Sequence, residues 1–279
     1  MSAPPLIILA AGRARRYGGV KQLAPIGKHG EGVIDLLASD AWAAGFGDVV
    51  IVVNSETGEQ IEEHVMARWP QDREVRFVRQ RKLRGTVDAV LSAEGALNTS
   101  LPFGVSNADD LYGRHALQLL GDNLRVSPHN CLVGFELDRA LVGDMPVSRG
   151  VCSVVGGRLT EIVERRNVRS VLEGYCADDG LEPTGLSPST TVSMNLWGFR
   201  PEILPLMHTY MAHHDFTNDG EMQLSTFVGQ VIHDSELPFE VLSTRDRCIG
   251  ITHAKDLEAA QLLVRLEIES GRRPEHSFF

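Results

Sequence analysis

Leu9-Ala10-Ala11-Gly12-Arg13-Ala14-Arg15-Arg16-Tyr17-Gly18-Gly19-Val20-Lys21-Gln22-Leu23-Ala24-Pro25-Ile26 ends the short apolar run that begins at Leu6. The run is bounded by glycine, which suits a buried strand. Such a strand delivers small residues, then glycine, to the carboxyl edge of a sheet. Small residues there let a ligand approach the backbone closely. The loop that follows carries Arg13, Arg15, Arg16 and Lys21 within nine residues. Backbone N–H groups of a glycine-containing turn, joined by guanidinium forks and a lysine point charge, suit a triphosphate. Two familiar phosphate loops are excluded. There is no GxxxxGK[ST], and Ala14 and Tyr17 stand where a GxGxxG fingerprint needs glycine.

This cationic turn stands out against an acidic chain. The 279 residues hold 27 Lys and Arg against 37 Asp and Glu, a net charge of −10. That balance disfavours a general binder of nucleic acid or anionic membrane. No apolar run approaches the roughly 20 residues of a membrane helix. No basic stretch precedes the first apolar run, so no signal peptide is read there. Cys131, Cys152, Cys176 and Cys248 are widely spaced, which suits reduced, buried thiols and a cytoplasmic protein.

Working outward, the period alternates. Val33, Ile34, Leu37, Ala41 and Trp42 have helical spacing, and Val49–Val53 is a β-branched run. Glu56–Arg68 reads as helix, Arg76–Val78 as strand, Thr86–Leu97 as helix, Pro102–Ser106 as strand and Arg114–Leu124 as helix. Strand alternating with helix predicts βαβ units and a mostly parallel central sheet with flanking helices. Ligands of such sheets sit beyond the carboxyl ends of the strands. Later, Val151–Val155 and Arg158–Val163 flank Gly156-Gly157, a hairpin signal. Residues 170–190 read as loop, Thr191–Phe199 as strand, and Leu257, Ala260, Leu263, Val264 and Ile268 as a last amphipathic helix. The α/β fold is therefore expected to carry a smaller, antiparallel substrate lobe. One domain is expected over 1–279: a nucleotide-binding half (1–125), an acceptor-binding half (126–245) and a C-terminal helix (246–279).

The opening stretch resembles the signature of nucleotidyltransferases with a GT-A-like, Rossmann-like fold, the group that includes sugar-1-phosphate nucleotidylyltransferases. Leu9, Ala10, Ala11, Gly12, Arg16, Gly18, Lys21 and Pro25 match LAAGxGxRxGxxK…P, and Ala14 replaces its second glycine. The resemblance implies that Leu9–Arg13 face the nucleotide, and that Arg16 and Lys21 grip the phosphates. It further implies that Gln80, Gly85 and Thr86 form the wall against the base. In Ser106-Asn107-Ala108-Asp109-Asp110, it gives Asn107 to the nucleotide, and Asp109 to Mg²⁺ and catalysis. Asp110 becomes an acceptor contact, with the cap of the next helix as its other reading. Val163-Glu164-Arg165 resembles the family's VEK segment, with Glu164 meeting the sugar and Arg165 its phosphate. Asn195 and Glu221 complete the implied acceptor site.

One landmark is missing. The family's second metal aspartate has no counterpart in 247–253. The implied reaction joins a nucleoside triphosphate to a sugar phosphate and releases pyrophosphate. Two alternatives stay open: a cytidylyltransferase acting on a non-sugar phosphate, and a non-catalytic sensor of the same fold. The base, the acceptor and the oligomeric state, a homo-oligomer included, are not read from the sequence.

Overall fold

The computed structural model describes residues 3–12, 19–141, 145–235, 237–251 and 256–278. Arg13, Arg15 and Arg16, with most of the cationic turn, lie outside them.

β1 (Leu6–Leu9) sits inside the sheet, between β2 (Val49–Val53) and β4 (Phe103–Asn107), parallel to both. β3 (Val75–Arg79) extends this parallel block beyond β2. β1 and β2 are apolar throughout and wholly buried. Helices cover both faces of parallel strands, so no residue needs to face water. The covering helices include α1 (Val33–Ala43), α2 (Gly58–Arg68) and α3 (Thr86–Ala93). The register pairs Leu9 with Asn107. The Ala108 N–H then donates to the Leu9 carbonyl at 3.1 Å. This pairing brings the end of the first strand beside the Asp109-Asp110 pair.

After β4 come β5 (Asp110–Leu111), α4 (Arg114–Val126), β6 (Asn130–Glu136) and the short α5 (Leu137–Ala140). β7 (Val147–Val155) and β8 (Arg158–Val171) form the expected hairpin. Gly156 and Gly157 turn it with φ of 58° and 77°, the left-handed pair that a two-residue turn requires. β8 runs eight residues past Val163, and the 170–190 segment holds two further short strands, β9 (Gly174–Cys176) and β10 (Gly185–Leu186). That segment reads as loop in sequence because its strands are two and three residues long. β11 (Thr191–Phe199) runs antiparallel between β4 and β6. It joins the parallel block to the antiparallel lobe in one eleven-stranded sheet.

The chain closes with α6 (Ile203–His213), α7 (Leu224–Asp234), β12 (Phe239–Ser243), β13 (Ile249–Gly250) and α8 (Asp256–Glu269). β13 pairs with β5. α8 buries Ala260 and Val264 against Leu111, Ile249 and Ile251, which holds that small ribbon in place. Among the described residues, no helix is long and apolar enough to cross a membrane.

Candidate active site

The carboxyl ends of β1 and β4 open into one cleft. Lys21 follows the cationic turn in a short 3₁₀ helix (Lys21–Leu23) that packs against α1. Its ammonium group is bonded to the Asp109 carboxylate, 88 residues away, and both side chains are 18% exposed. Burial alone would lower the Lys21 pKa. The charge and hydrogen bond of Asp109, with Asp110 behind it, outweigh burial and push it up. Lys21 is therefore a fixed positive charge at neutral pH and not a base. Gln22, next in the turn, is buried and donates to the Ala10 carbonyl at 3.3 Å, so Ala10 supports the turn from below. Among the described residues, the buried Gln22 Oε1 has no partner.

Asp110 is 6% exposed, and burial first, then the neighbouring Asp109 charge, raise its pKa to about 6. Asn107 Nδ2 donates to it at 2.8 Å, opposing that rise. Tyr112 fixes the surroundings. Its hydroxyl accepts the Asn107 N–H at 2.9 Å and donates to the Met194 carbonyl at 2.9 Å, tying β4 to β11. Asp110 is not the cap of α4. That role falls to Asp246, whose carboxylate accepts the Ala116 N–H at 3.0 Å. β13 occupies the region where a second aspartate was sought, and it brings Gly250 against Asp110. A Cβ on Gly250 would lie 2.5 Å from Asp110 Oδ1, so glycine here makes room for that carboxylate. The described donors are hard carboxylate oxygens, which fit a divalent cation such as Mg²⁺. Asp109 would hold it, with Asp110 adjacent.

One chamber of the cleft, about 430 Å³, is lined by Leu9, Ala11, Gly12, Gln80, Gly85 and Thr86, together with Asn107 and Asp109. That volume lies in the range of small-molecule sites. Gln80 is anchored by its amide nitrogen, which donates to Asp88 Oδ2 at 2.9 Å and to the Gly85 carbonyl at 3.1 Å. Thr86 Oγ1 accepts the Leu224 N–H at 2.7 Å, capping α7 from across the cleft. Gly85 has φ 106°, and a Cβ there would fall 2.3 Å from the Met222 carbonyl oxygen. Gly85→Ala should therefore lose about 1–3 kcal/mol to backbone strain alone. Urea unfolding should read that loss.

A second, smaller chamber of about 230 Å³ meets the first at Asn107, Asp109, Asn195 and Gln223. Asp110 and Glu164 both line it. Burial raises the Glu164 pKa, and a 2.9 Å hydrogen bond from Ser225 works against that shift. Asn195 reaches the cleft by a register shift in β11, between Ser193 and Trp197. It adopts φ 59°, a left-handed conformation that asparagine tolerates better than most residues.

Two residues implied for the acceptor lie outside the smaller chamber. Glu221 lines the larger chamber, because the contact of Thr86 with Leu224 docks residues 221–224 onto the Gly85 turn. Arg165 does not reach the cleft. Its guanidinium grips Asp179 through Nε at 2.8 Å and Nη2 at 3.0 Å, and it donates further to the carbonyls of Leu181 and Pro183. Asp179, which reads as surface in sequence, has a 5% exposed side chain and a carboxyl held well below the usual range by Arg165. Arg149, Gln223, Ser193 and Ser225 line the smaller chamber without any local sequence signal.

Solved structures of similar fold cover nearly the whole chain. An inositol-1-phosphate CTP transferase from T. maritima aligns with TM-score 0.70 at 14% identity, over 96% of this chain and 97% of its own. A UDP-glucose pyrophosphorylase complexed with UDP-glucose aligns with TM-score 0.66 at 15% identity, over 95% and 99%. A protein assigned as a glucose-1-phosphate thymidylyltransferase from Bacillus anthracis, in complex with a sucrose, aligns with TM-score 0.70 at 14% identity, over 94% and 96%. A comparison with curated protein sequences finds no match. Residues 6–179 match the MobA-like NTP transferase domain. The chain belongs to that family. This NTP transferase has the α/β nucleotidyltransferase fold, and its matched span runs from β1 to Asp179, the partner of Arg165. Of the expected site residues, Arg13 and Arg16 lie outside the described residues.

Proposed function

We propose that this NTP transferase joins a nucleoside triphosphate to a sugar phosphate, giving a nucleotide-sugar and pyrophosphate. The observation that carries this reading is the meeting of two chambers at Asp109, where Lys21 is already fixed. A phosphate oxygen of the acceptor attacks the α-phosphorus of the triphosphate. The new P–O bond forms as the bond to the β-phosphate bridging oxygen breaks, and that oxygen leaves with pyrophosphate. The acceptor brings its own nucleophile, so the protein needs only to align and neutralise.

Lys21 orients the α-phosphate and offsets charge as the bond breaks. Asp109 would hold Mg²⁺, which would supply charge neutralisation when bound. The Lys21–Asp109 pair keeps both groups in position until substrate phosphate competes for the ammonium. Arg16 is assigned to the β- and γ-phosphates and Arg13 to the same turn. Gln80, Gly85 and Thr86 form the base wall, and Glu164 and Asn195 meet acceptor hydroxyls. The location consistent with free thiols and an acidic surface is the cytoplasm.

A second reading takes CTP and a polyol phosphate. It draws support from the T. maritima inositol-1-phosphate CTP transferase, whose fold similarity equals that of the thymidylyltransferase. The intact Lys21–Asp109 pair weighs against a non-catalytic sensor. A thermal-shift screen of the four ribonucleoside triphosphates with Mg²⁺, alone and with sugar and polyol phosphates, tests these readings. A ligand at 100 times its Kd should stabilise the fold by about 2.7 kcal/mol, so a true substrate pair should stand clear of the others. A flat screen would count against the proposal.

A further inference from the structure

The smaller chamber carries three carboxylates, from Asp109, Asp110 and Glu164. A phosphate monoester cannot settle there without a cation to offset them. Among the described residues, Lys21 and Arg149 are the cations that line the cleft. Lys21 is held by Asp109 at the junction with the larger chamber. Arg149 belongs to the smaller chamber alone.

The strand register explains why the cation is at 149. In the β7–β8 hairpin Arg149 lies directly opposite Arg165. Two like charges facing each other across antiparallel strands repel. The structure separates them. Arg165 turns to Asp179 and becomes a structural clamp on the 178–183 segment. Among the described residues, Arg149 bonds only backbone carbonyls, Ser148 at 2.8 Å and Ala140 at 2.9 Å. Its Nε is buried with no acceptor. Arg149 lines the same chamber as Asp110 and Glu164, and its positive charge favours the ionised form of both. This guanidinium is thus anchored by neutral groups, and among the described residues its charge is not spent on a carboxylate partner of its own.

We propose that Arg149 binds the phosphate of the acceptor, and that the acceptor is a phosphate monoester whose hydroxyls meet Glu164, Ser193 and Asn195. Arg149 takes the role that resemblance alone gives to Arg165. This role presupposes the nucleotidyl transfer proposed above.

The experiment measures pyrophosphate release by the full-length chain, with glucose 1-phosphate and inositol 1-phosphate as acceptor probes. Arg149→Gln should raise the acceptor KM roughly 10- to 100-fold, the scale of losing charge-assisted hydrogen bonds to phosphate. The triphosphate KM should stay within about twofold, because that site is anchored at Lys21. Arg158→Gln, an exposed change on the same hairpin, should alter neither. Arg149→Lys keeps the charge but not the fork, and should raise the acceptor KM by a smaller factor. It also serves if Arg149→Gln fails to fold. An unchanged acceptor KM in a folded Arg149 variant would overturn the assignment and leave the transfer reading standing. So would an equal rise in both KM values, the mark of a merely structural role. A wild-type chain that turns over neither probe with any of the four triphosphates would overturn the transfer reading, and Arg149's role with it.

Discussion

Asp109→Asn should cut turnover about 10³-fold, equivalent to about 4 kcal/mol of transition-state stabilisation, the scale of losing a metal's charge neutralisation. The substitution is nearly isosteric. It leaves the Ala108–Leu9 and Ile251–Asp109 backbone bonds intact, so β4 and β13 should keep their places. The missing element is one negative charge, which both Lys21 and a divalent cation require. Titrating Mg²⁺ against pyrophosphate release should therefore show a raised half-saturation as well as a lower ceiling. Turnover within about threefold of wild type would show that the metal is held elsewhere.

Lys21→Ala should lower kcat by about 10²–10³-fold, the range seen when one preorganised charge donor is removed. The effect should fall on kcat more than on the triphosphate KM. On the proposed reading the ammonium works hardest as charge builds on the departing pyrophosphate, while the base would still be held by the chamber walls at Gln80, Gly85 and Thr86. Lys21→Arg should recover only part of the loss, since the fork cannot occupy the position of a point charge against Asp109. Near-normal pyrophosphate release by Lys21→Ala would remove the turn from the mechanism.

These two residues were legible in the sequence because their signals are local. Lys21 stands a fixed distance after an apolar strand and a glycine turn, and Asp109 stands just past the end of another strand. A parallel sheet carries both ends to one edge, so pattern alone places the residues near each other. Gly85 and Thr86 are legible for the same reason, as a glycine turn opening a helix.

The acceptor side was less legible because it is assembled by long-range pairing. Arg165 sits in a recognisable segment, yet its partner Asp179 lies beyond a strand turn that reads as loop. Arg149 has no neighbouring motif. Its place beside Asp110 follows from β7 pairing with β11 and from β13 pairing with β5. Tyr112 is similar. Its hydroxyl acts on a bulge 82 residues away, and nothing near position 112 announces that contact. Glu221 lines the larger chamber because 221–224 fold onto Gly85, a contact that cannot be read from either segment separately.

The most direct test supplies each nucleoside triphosphate labelled at its α-phosphorus, with Mg²⁺ and a panel of sugar and polyol phosphates. For one pairing, the label should pass into a nucleotide–acceptor diester while unlabelled pyrophosphate accumulates in equal amount. Label that stays in the triphosphate with every acceptor, although that triphosphate is bound, would contradict nucleotidyl transfer at the Lys21–Asp109 cleft.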